Sequence, residues 1–285
     1  MPLNALRSFG TMLTCDLCFH NCRLEEGQTG FCRARRNING VITSVNAHWI
    51  TSLALDPIEK KPLYHFYPGS KILSIGSFGC NLACPFCQNH SIATMSFHNK
   101  HAKYMRSEEI VNLAVDFIPQ GNIGLAFTYN EPLIGFEFVL ETSKRAKQFK
   151  LKTVLVTNGT ISEKYLMEIL PYIDAMNIDL KGFAQEFYAK LNGNLEQVKH
   201  TIELSHSRTH VELPTLIIPG ENDSEEDMEK EARWIASVNP EIPLHLSLFF
   251  PNHLWMDKEI TPLDTLIKLE RIAKQYLKHV HLGNV

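Results

Sequence analysis

A chain of 285 residues, 44% hydrophobic and 21% charged, is long and apolar enough to bury a core of its own. Its formal charge of −3, with no block of one sign, offers no footprint for nucleic acid or for a membrane surface. Met1–Thr14 contains Arg7 and lacks an apolar h-region. No later stretch reaches the ~18 uninterrupted apolar residues of a membrane span, so a cytoplasmic protein is expected.

Residues 1–55 read as a small cysteine-rich module. Up to Asn39–Gly40 the chain is rich in Cys, Gly and Arg and too poor in apolar residues for a core, so a metal has to stand in for one. Cys15, Cys18, Cys22 and Cys32 follow a C-x2-C-x3-C-x9-C spacing. Four thiolates close either a tetrahedral zinc site or an auxiliary 4Fe–4S site. Arg23, Arg33, Arg35 and Arg36 would offset the charge of either. Val41–Leu53 alternates weakly, as a hairpin or extended strand does. Residues 56–70 read as a connector punctuated by Asp56–Pro57 and Lys61–Pro62 and ending at Tyr67–Pro68–Gly69.

From residue 71 to 285 the pattern is regular. Strands are expected at Ile72–Ile75, Ile123–Thr128, Thr153–Thr157, Ala175–Asp179, His210–Ile218 and Leu244–Phe250. Helices are expected at Glu108–Ile118, Phe136–Phe149, Glu163–Leu170, Glu196–Ser205 and Glu225–Val238, with a last one capped by Thr261. Alternating βαβα with apolar strands means a parallel sheet covered by helices. Six such units in roughly 210 residues fall short of the ~250 of a closed eight-unit barrel. An α/β partial barrel of six units is therefore expected, with a doubly wound open sheet as the competitor. In both, functional groups gather at the carboxyl ends of the strands.

The second cysteine group, Cys80, Cys84 and Cys87, follows the first of these strands directly. Clustered thiols in odd number, without a signal peptide, argue for metal over disulfides. Three thiolates can ligate three irons of a cubane and leave the fourth open to a substrate, whereas structural zinc takes four protein ligands.

C-x3-C-x2-C with Phe86 before the last cysteine resembles the signature of the radical S-adenosylmethionine (SAM) superfamily. The resemblance implies a partial (β/α)6 barrel and a 4Fe–4S cluster whose open iron chelates SAM. It also implies reductive cleavage to a 5′-deoxyadenosyl radical that abstracts hydrogen from a substrate. Phe86 would then lie near the adenine. Thr128-Tyr129-Asn130-Glu131-Pro132 stands where such proteins carry Gly-Gly-Glu-Pro, which implies that Asn130 and Glu131, or backbone beside them, bind the cofactor and its ammonium. Thr157-Asn158-Gly159 and Asp179-Leu180-Lys181 are similar to segments of pyruvate formate-lyase activating enzymes, which implies that Asn158, Asp179 and Lys181 approach SAM. By the same resemblance His245 lies near the SAM ribose or carboxylate; read on its own it is equally a hydrogen-bonded core histidine. His98 and His101 show no ligand spacing and read as surface residues, and Pro219–Asp223 reads as a shaping turn.

The N-terminal cysteines, Asp56–Phe66, the Cys-Pro-Phe-Cys-Gln-Asn run and Thr-Tyr-Asn-Glu-Pro together resemble the AmmeMemoRadiSam-system radical SAM enzymes. That resemblance implies Memo-like or AMMECR-like partners and an electron donor of the flavodoxin or ferredoxin type. The chain departs from the pattern at Leu248, where an arginine is usual, and at Val156, where an activase carries aspartate. Members of the subgroup also continue with further cysteines beyond the Gly-Asn-Val at 283–285. Three readings follow: hydrogen abstraction from a peptide or metabolite, installation of a glycyl radical on a partner, and a non-enzymatic iron–sulfur or zinc interaction protein. Val156 favours the first over the second.

Overall fold

The computed structural model describes residues 12–96 and 102–285. His98 and His101 lie outside the described residues. One eight-stranded sheet organises the chain: β1 (Ser52–Pro57), β2 (Lys71–Gly76), β3 (Asn122–Phe127), β4 (Lys152–Thr157), β5 (Ala175–Ile178), β6 (His210–Ile217), β7 (Leu244–Leu248) and β8 (Val280–Gly283). The strands neighbour one another in chain order. β2 to β8 are parallel, while β1 lies antiparallel on β2. A doubly wound sheet reverses strand order at its switch point. This sheet never does, and no ladder joins β8 to β1, so the architecture is the expected partial barrel.

Helices return the chain between the parallel strands: α1 (Ser107–Asp116), α2 (Phe136–Gln148), α3 (Glu163–Ile169), α4 (Gln185–Lys190), α5 (Leu195–His206), α6 (Glu225–Val238) and α7 (Leu263–Ala273). Their starts obey local chemistry. Asn194 accepts the Gln197 N–H at 3.0 Å, and Ser224 accepts that of Asp227 at 3.1 Å, each satisfying a donor the helix leaves free. None of them is long and apolar enough to cross a membrane, among the described residues.

Three expectations need correction. Thr261 does not cap α7; Pro262 does. The Thr261 side chain is buried, donating to the Ile217 carbonyl at 2.5 Å and accepting the Phe249 N–H at 3.0 Å, so it ties the ends of β6 and β7 together. Asp56–Pro57 is no turn but the end of β1, which runs across residue 55 into the sheet. Proline is tolerated there because β1 is an edge strand. Val41–Leu53 divides into three pieces. Val41–Ser44 forms a hairpin with Arg35–Ile38 through Asn39–Gly40, Trp49–Ile50 pairs with Lys103–Tyr104, and the remainder enters β1.

The connector after β1 is a plug. Ile58, Leu63 and Phe66 pack with Ile72, Ala126, Val154 and Ala175 on the inner face of the sheet. Polar anchors fix its register. The Pro62 carbonyl accepts the Asn177 amide at 3.0 Å, and the N–H groups of Tyr64 and His65 donate to the buried Glu212 carboxylate at 2.9 and 2.8 Å. His210 and His245 also donate to Glu212, at 2.8 and 2.7 Å. Lys61 reaches back to Asp56 at 2.9 Å. Above this floor the interior stays open.

Candidate active site

The loop that leaves β2, Ser77–Asn89, is held from three sides. Asn46 donates to the Phe78 carbonyl at 2.8 Å. Asn130 accepts the Ser77 N–H and donates to the Gly79 carbonyl, both at 3.0 Å. Ser77 Oγ lies 2.9 Å from each of the Asn46 and Trp49 carbonyl oxygens. Gly79 has φ +86°, and a Cβ there would lie 2.5 Å from the Cys32 carbonyl oxygen, so only glycine lets the loop meet the N-terminal module so closely.

This loop presents Cys80, Cys84 and Cys87 to a cavity of about 360 Å³ at the carboxyl ends of β3 to β7. Phe86, Asn130, Glu131, Asn158, Asp179 and Lys181 line the same cavity, so it gathers nine of the ten residues expected there. His245 is the exception. It lies in the plug network, 1% exposed, edge-on to Tyr64 and bonded to Glu212, while Ser247, two residues further along the same face of β7, supplies the lining. Val156 also faces the cavity, so its wall is apolar where an activase would carry a carboxylate.

Burial pushes all three thiols upward, Cys84 to about 12 although the Lys181 charge pulls the other way. Ligation therefore has to displace their protons. Lys181 forms an ion pair with Asp179 at 2.8 Å. Burial opposes its charge, but Asp179 and the Cys84 thiol outweigh that and hold the ammonium above its ordinary pKa. Asn158 Nδ2 donates to Cys80 Sγ at 3.8 Å and to Asn81 Oδ1 at 2.8 Å. Phe86 stacks parallel to Phe187 at 6.3 Å and tilts against Trp255 at 5.4 Å.

Glu131 is buried and occupied. Its carboxylate accepts the Leu133 N–H at 3.0 Å, the Thr157 hydroxyl at 2.9 Å and the Asn158 N–H at 2.8 Å, fastening the end of β3 to that of β4. Burial raises its pKa to about 7 despite these donors. A carboxyl raised in the fold stabilises it fully below about pH 4.5, and that contribution is lost as pH rises through about 7. Glu131→Gln is therefore expected to flatten the pH dependence of thermal unfolding between about pH 5 and about pH 8, where the native chain should lose on the order of 3 kcal/mol. An unchanged slope would contradict this assignment.

Residues that sequence reasoning passed over complete the cavity, among them Lys60, Tyr129, Asn177 and Ser247. Tyr129 adopts φ 73°, its ring fills the space beside Gly76, and its hydroxyl donates to Asp56 at 2.7 Å. The glycine closing β2 was the available signal.

Among the described residues, no group of three or more His, Cys, Asp or Glu has the geometry to hold a single metal ion. A cubane asks for something different, since each thiolate binds its own iron. Three half-buried thiols on one loop, with an amide donor on one sulfur, suit it. A parallel barrel with such thiols at its open end defines an enzyme built around a thiolate-held cofactor.

The comparisons agree. The model of the Radical SAM superfamily matches residues 74–232, more than half of the chain, and the chain belongs to that superfamily. It is an enzyme of the radical SAM type, and the family implies a 4Fe–4S cluster and SAM. Uncharacterized protein MJ0808 of Methanocaldococcus jannaschii is 39% identical over 275 residues, 95% of this chain and 81% of that one. The pyruvate formate-lyase-activating enzyme of Staphylococcus epidermidis is 24% identical over 56% of this chain and 67% of its own. Among solved structures, Streptococcus suis SuiB bound to precursor peptide SuiA shares the fold, with a TM-score of 0.56 at 13% identity, covering 72% of this chain and 46% of that one.

Proposed function

We propose that the chain cleaves SAM reductively at a cluster held by Cys80, Cys84 and Cys87 and abstracts hydrogen from a peptide or small molecule in the cavity. The observation that carries this reading is the shared cavity: three thiols, the Asp179–Lys181 pair, Asn158 and Phe86 line one volume of about 360 Å³. Bound there, cluster and cofactor supply the 5′-deoxyadenosyl radical. The chain's own residues orient and shield. Phe86 would flank the adenine, Asp179 and Lys181 would meet the polar groups of SAM, and backbone around Asn130 would receive its ammonium. Glu131 acts as a positioning residue, since its oxygens already serve Leu133, Thr157 and Asn158. The plug floors the cavity and keeps water from that side of a reactive radical.

The relatives named as activating enzymes support a second reading, a glycyl radical installed on a partner protein. Val156 in the cavity wall favours the first. Cysteine spacing and the Asp56–Phe66 plug support placement in the AmmeMemoRadiSam system, with Memo-like or AMMECR-like partners and a flavodoxin or ferredoxin donor. The test is anaerobic incubation with SAM and reduced flavodoxin, alone and with each candidate partner. Formation of 5′-deoxyadenosine is expected. A stable glycyl radical on a partner would select the second reading, and no cleavage under any condition would defeat both.

A further inference from the structure

The Asp56–Phe66 segment carries more positive charge than its packing uses. Asp56 lies near the end of β1, and one short helical turn, Ile58–Lys60, leads from the strand into the plug. Ile58 anchors that turn, wholly buried, and the Lys61 N–H closes it on the Ile58 carbonyl at 2.9 Å. The two lysines that follow have different surroundings. The Lys61 side chain is 4% exposed, whereas that of Lys60 is 66% exposed and lines the cavity.

One carboxylate serves both. Lys61 Nζ lies 2.9 Å from Asp56 Oδ2 and 4.8 Å from the centre of the Tyr129 ring, and the Tyr129 hydroxyl donates to that same oxygen at 2.7 Å. Lys60 takes the other oxygen, Oδ1, at 3.2 Å. A buried ammonium needs a full counter-charge, and Lys61 has one in Asp56. The charge of Lys60 is then in excess, since two ammonium groups share one carboxylate. Its longer, solvent-facing contact is of a kind that contributes little and yields readily to a better partner.

The rest of the wall does not balance it. The other carboxyl and ammonium groups lining the cavity, among the described residues, are Glu131, Asp179 and Lys181. Asp179 and Lys181 pair at 2.8 Å, and the Glu131 oxygens serve Leu133, Thr157 and Asn158. Backbone strain holds this corner in place. Tyr129 has φ 73°, a conformation rare for a bulky residue and concentrated at ligand sites. Its ring takes the space beside Gly76, where a Cβ would come within 2.9 Å of it. Placed so, Tyr129 carries Lys61 on its face and fixes Asp56, and the spare cation stands at the cavity wall.

We propose that Lys60 binds an anionic group, a carboxylate or a phosphate, of the molecule that gives up hydrogen in the cavity, with Asp56, Lys61 and Tyr129 as its positioning residues. This names the substrate class of the site and rests on the reading of the cavity given above. An anionic oxygen on this ammonium makes a charge-assisted hydrogen bond. A cationic substrate would meet the same group as a repulsion.

The test reads Lys60 itself. Lysines of the full chain are dimethylated with isotopically labelled formaldehyde, which keeps their positive charge, before anaerobic reconstitution. The Lys60 carbon signal is the one missing in Lys60→Gln, or in Lys60→Arg should the first variant not fold. Titration with inorganic phosphate and, separately, with acetate is expected to shift that signal saturably, while lysines outside the cavity respond linearly. The anion that saturates at the lower concentration distinguishes phosphate from carboxylate. SAM at saturation is expected to leave the phosphate titration unchanged. A linear Lys60 response to both anions would overturn the proposal. So would loss of the saturable response on adding SAM, which would assign Lys60 to the cofactor's own carboxylate. Failure of the chain to cleave SAM would defeat the reading of the triplet without moving the Lys60 titration, so the two failures are told apart.

Discussion

Cys84→Ala is expected to form no 5′-deoxyadenosine above the level seen without enzyme. Cys84 is the middle thiol of the loop and shares the cavity wall with Lys181, whose charge it feels. Two thiolates leave two irons of a cubane uncovered, so the site loses its cluster as well as its geometry. The effect is one of chemistry and not of folding, because Cys84 is only half-buried and packs beside the separate Phe86–Phe187 cluster. Iron analysis together with the circular dichroism spectrum checks both halves: about four irons fewer, with the secondary structure kept. Cleavage by this variant at the native rate would remove Cys84 from the site.

Glu212→Ala carries the largest expected loss of stability. The native carboxylate is wholly buried and takes four donors, the Tyr64 and His65 N–H groups and the rings of His210 and His245. Alanine leaves all four without a partner, a change that costs about 3–5 kcal/mol when one side of a buried charged network is removed. Denaturant unfolding reads this directly. Acid gives an independent check. Burial alone would raise the Glu212 pKa, but the two histidines and the two backbone donors outweigh it and hold it at about 2. A carboxylate depressed from about 4.5 contributes stability that is full above that pH and is lost as pH falls toward 2, roughly 3 kcal/mol in all. The native chain should show this acid loss and Glu212→Gln should not. Because the plug lies under the cavity and supplies Lys60 and Pro62 to its wall, the same variants should also weaken SAM cleavage. A variant within about 0.5 kcal/mol of native would mean that the network only fills space.

What could be read from the residues was what is local. The C-x3-C-x2-C run, the six apolar strands and the helices between them declare themselves by spacing and period, and the structure has all of them within a residue or two. β8 escaped notice because Val280–Gly283 is four residues long and carries a histidine and a glycine. β1 was hidden by Asp56–Pro57, a dipeptide that signals a turn in isolation and here ends an edge strand. The site divides in the same way. Asn158, Asp179 and Lys181 follow strand ends and could be placed, but the backbone donors to Glu212, Tyr64 and His65, lie 148 and 147 residues away along the chain. His245 shows the cost of that distance. It shares the inner face of β7 with Ser247, and only the plug, anchored from residues 58–66, decides that the histidine is under the floor and the serine above it.

A cluster held as proposed by Cys80, Cys84 and Cys87 would leave one iron without a cysteine, open to the amino acid end of SAM. Electron–nuclear double resonance on the reduced protein, with SAM isotopically labelled at its amino nitrogen, tests this most directly. A hyperfine coupling from the label is expected, lost in Cys84→Ala. A cluster that forms and is reduced yet shows no coupling, or a triplet that binds zinc in place of iron, would contradict it.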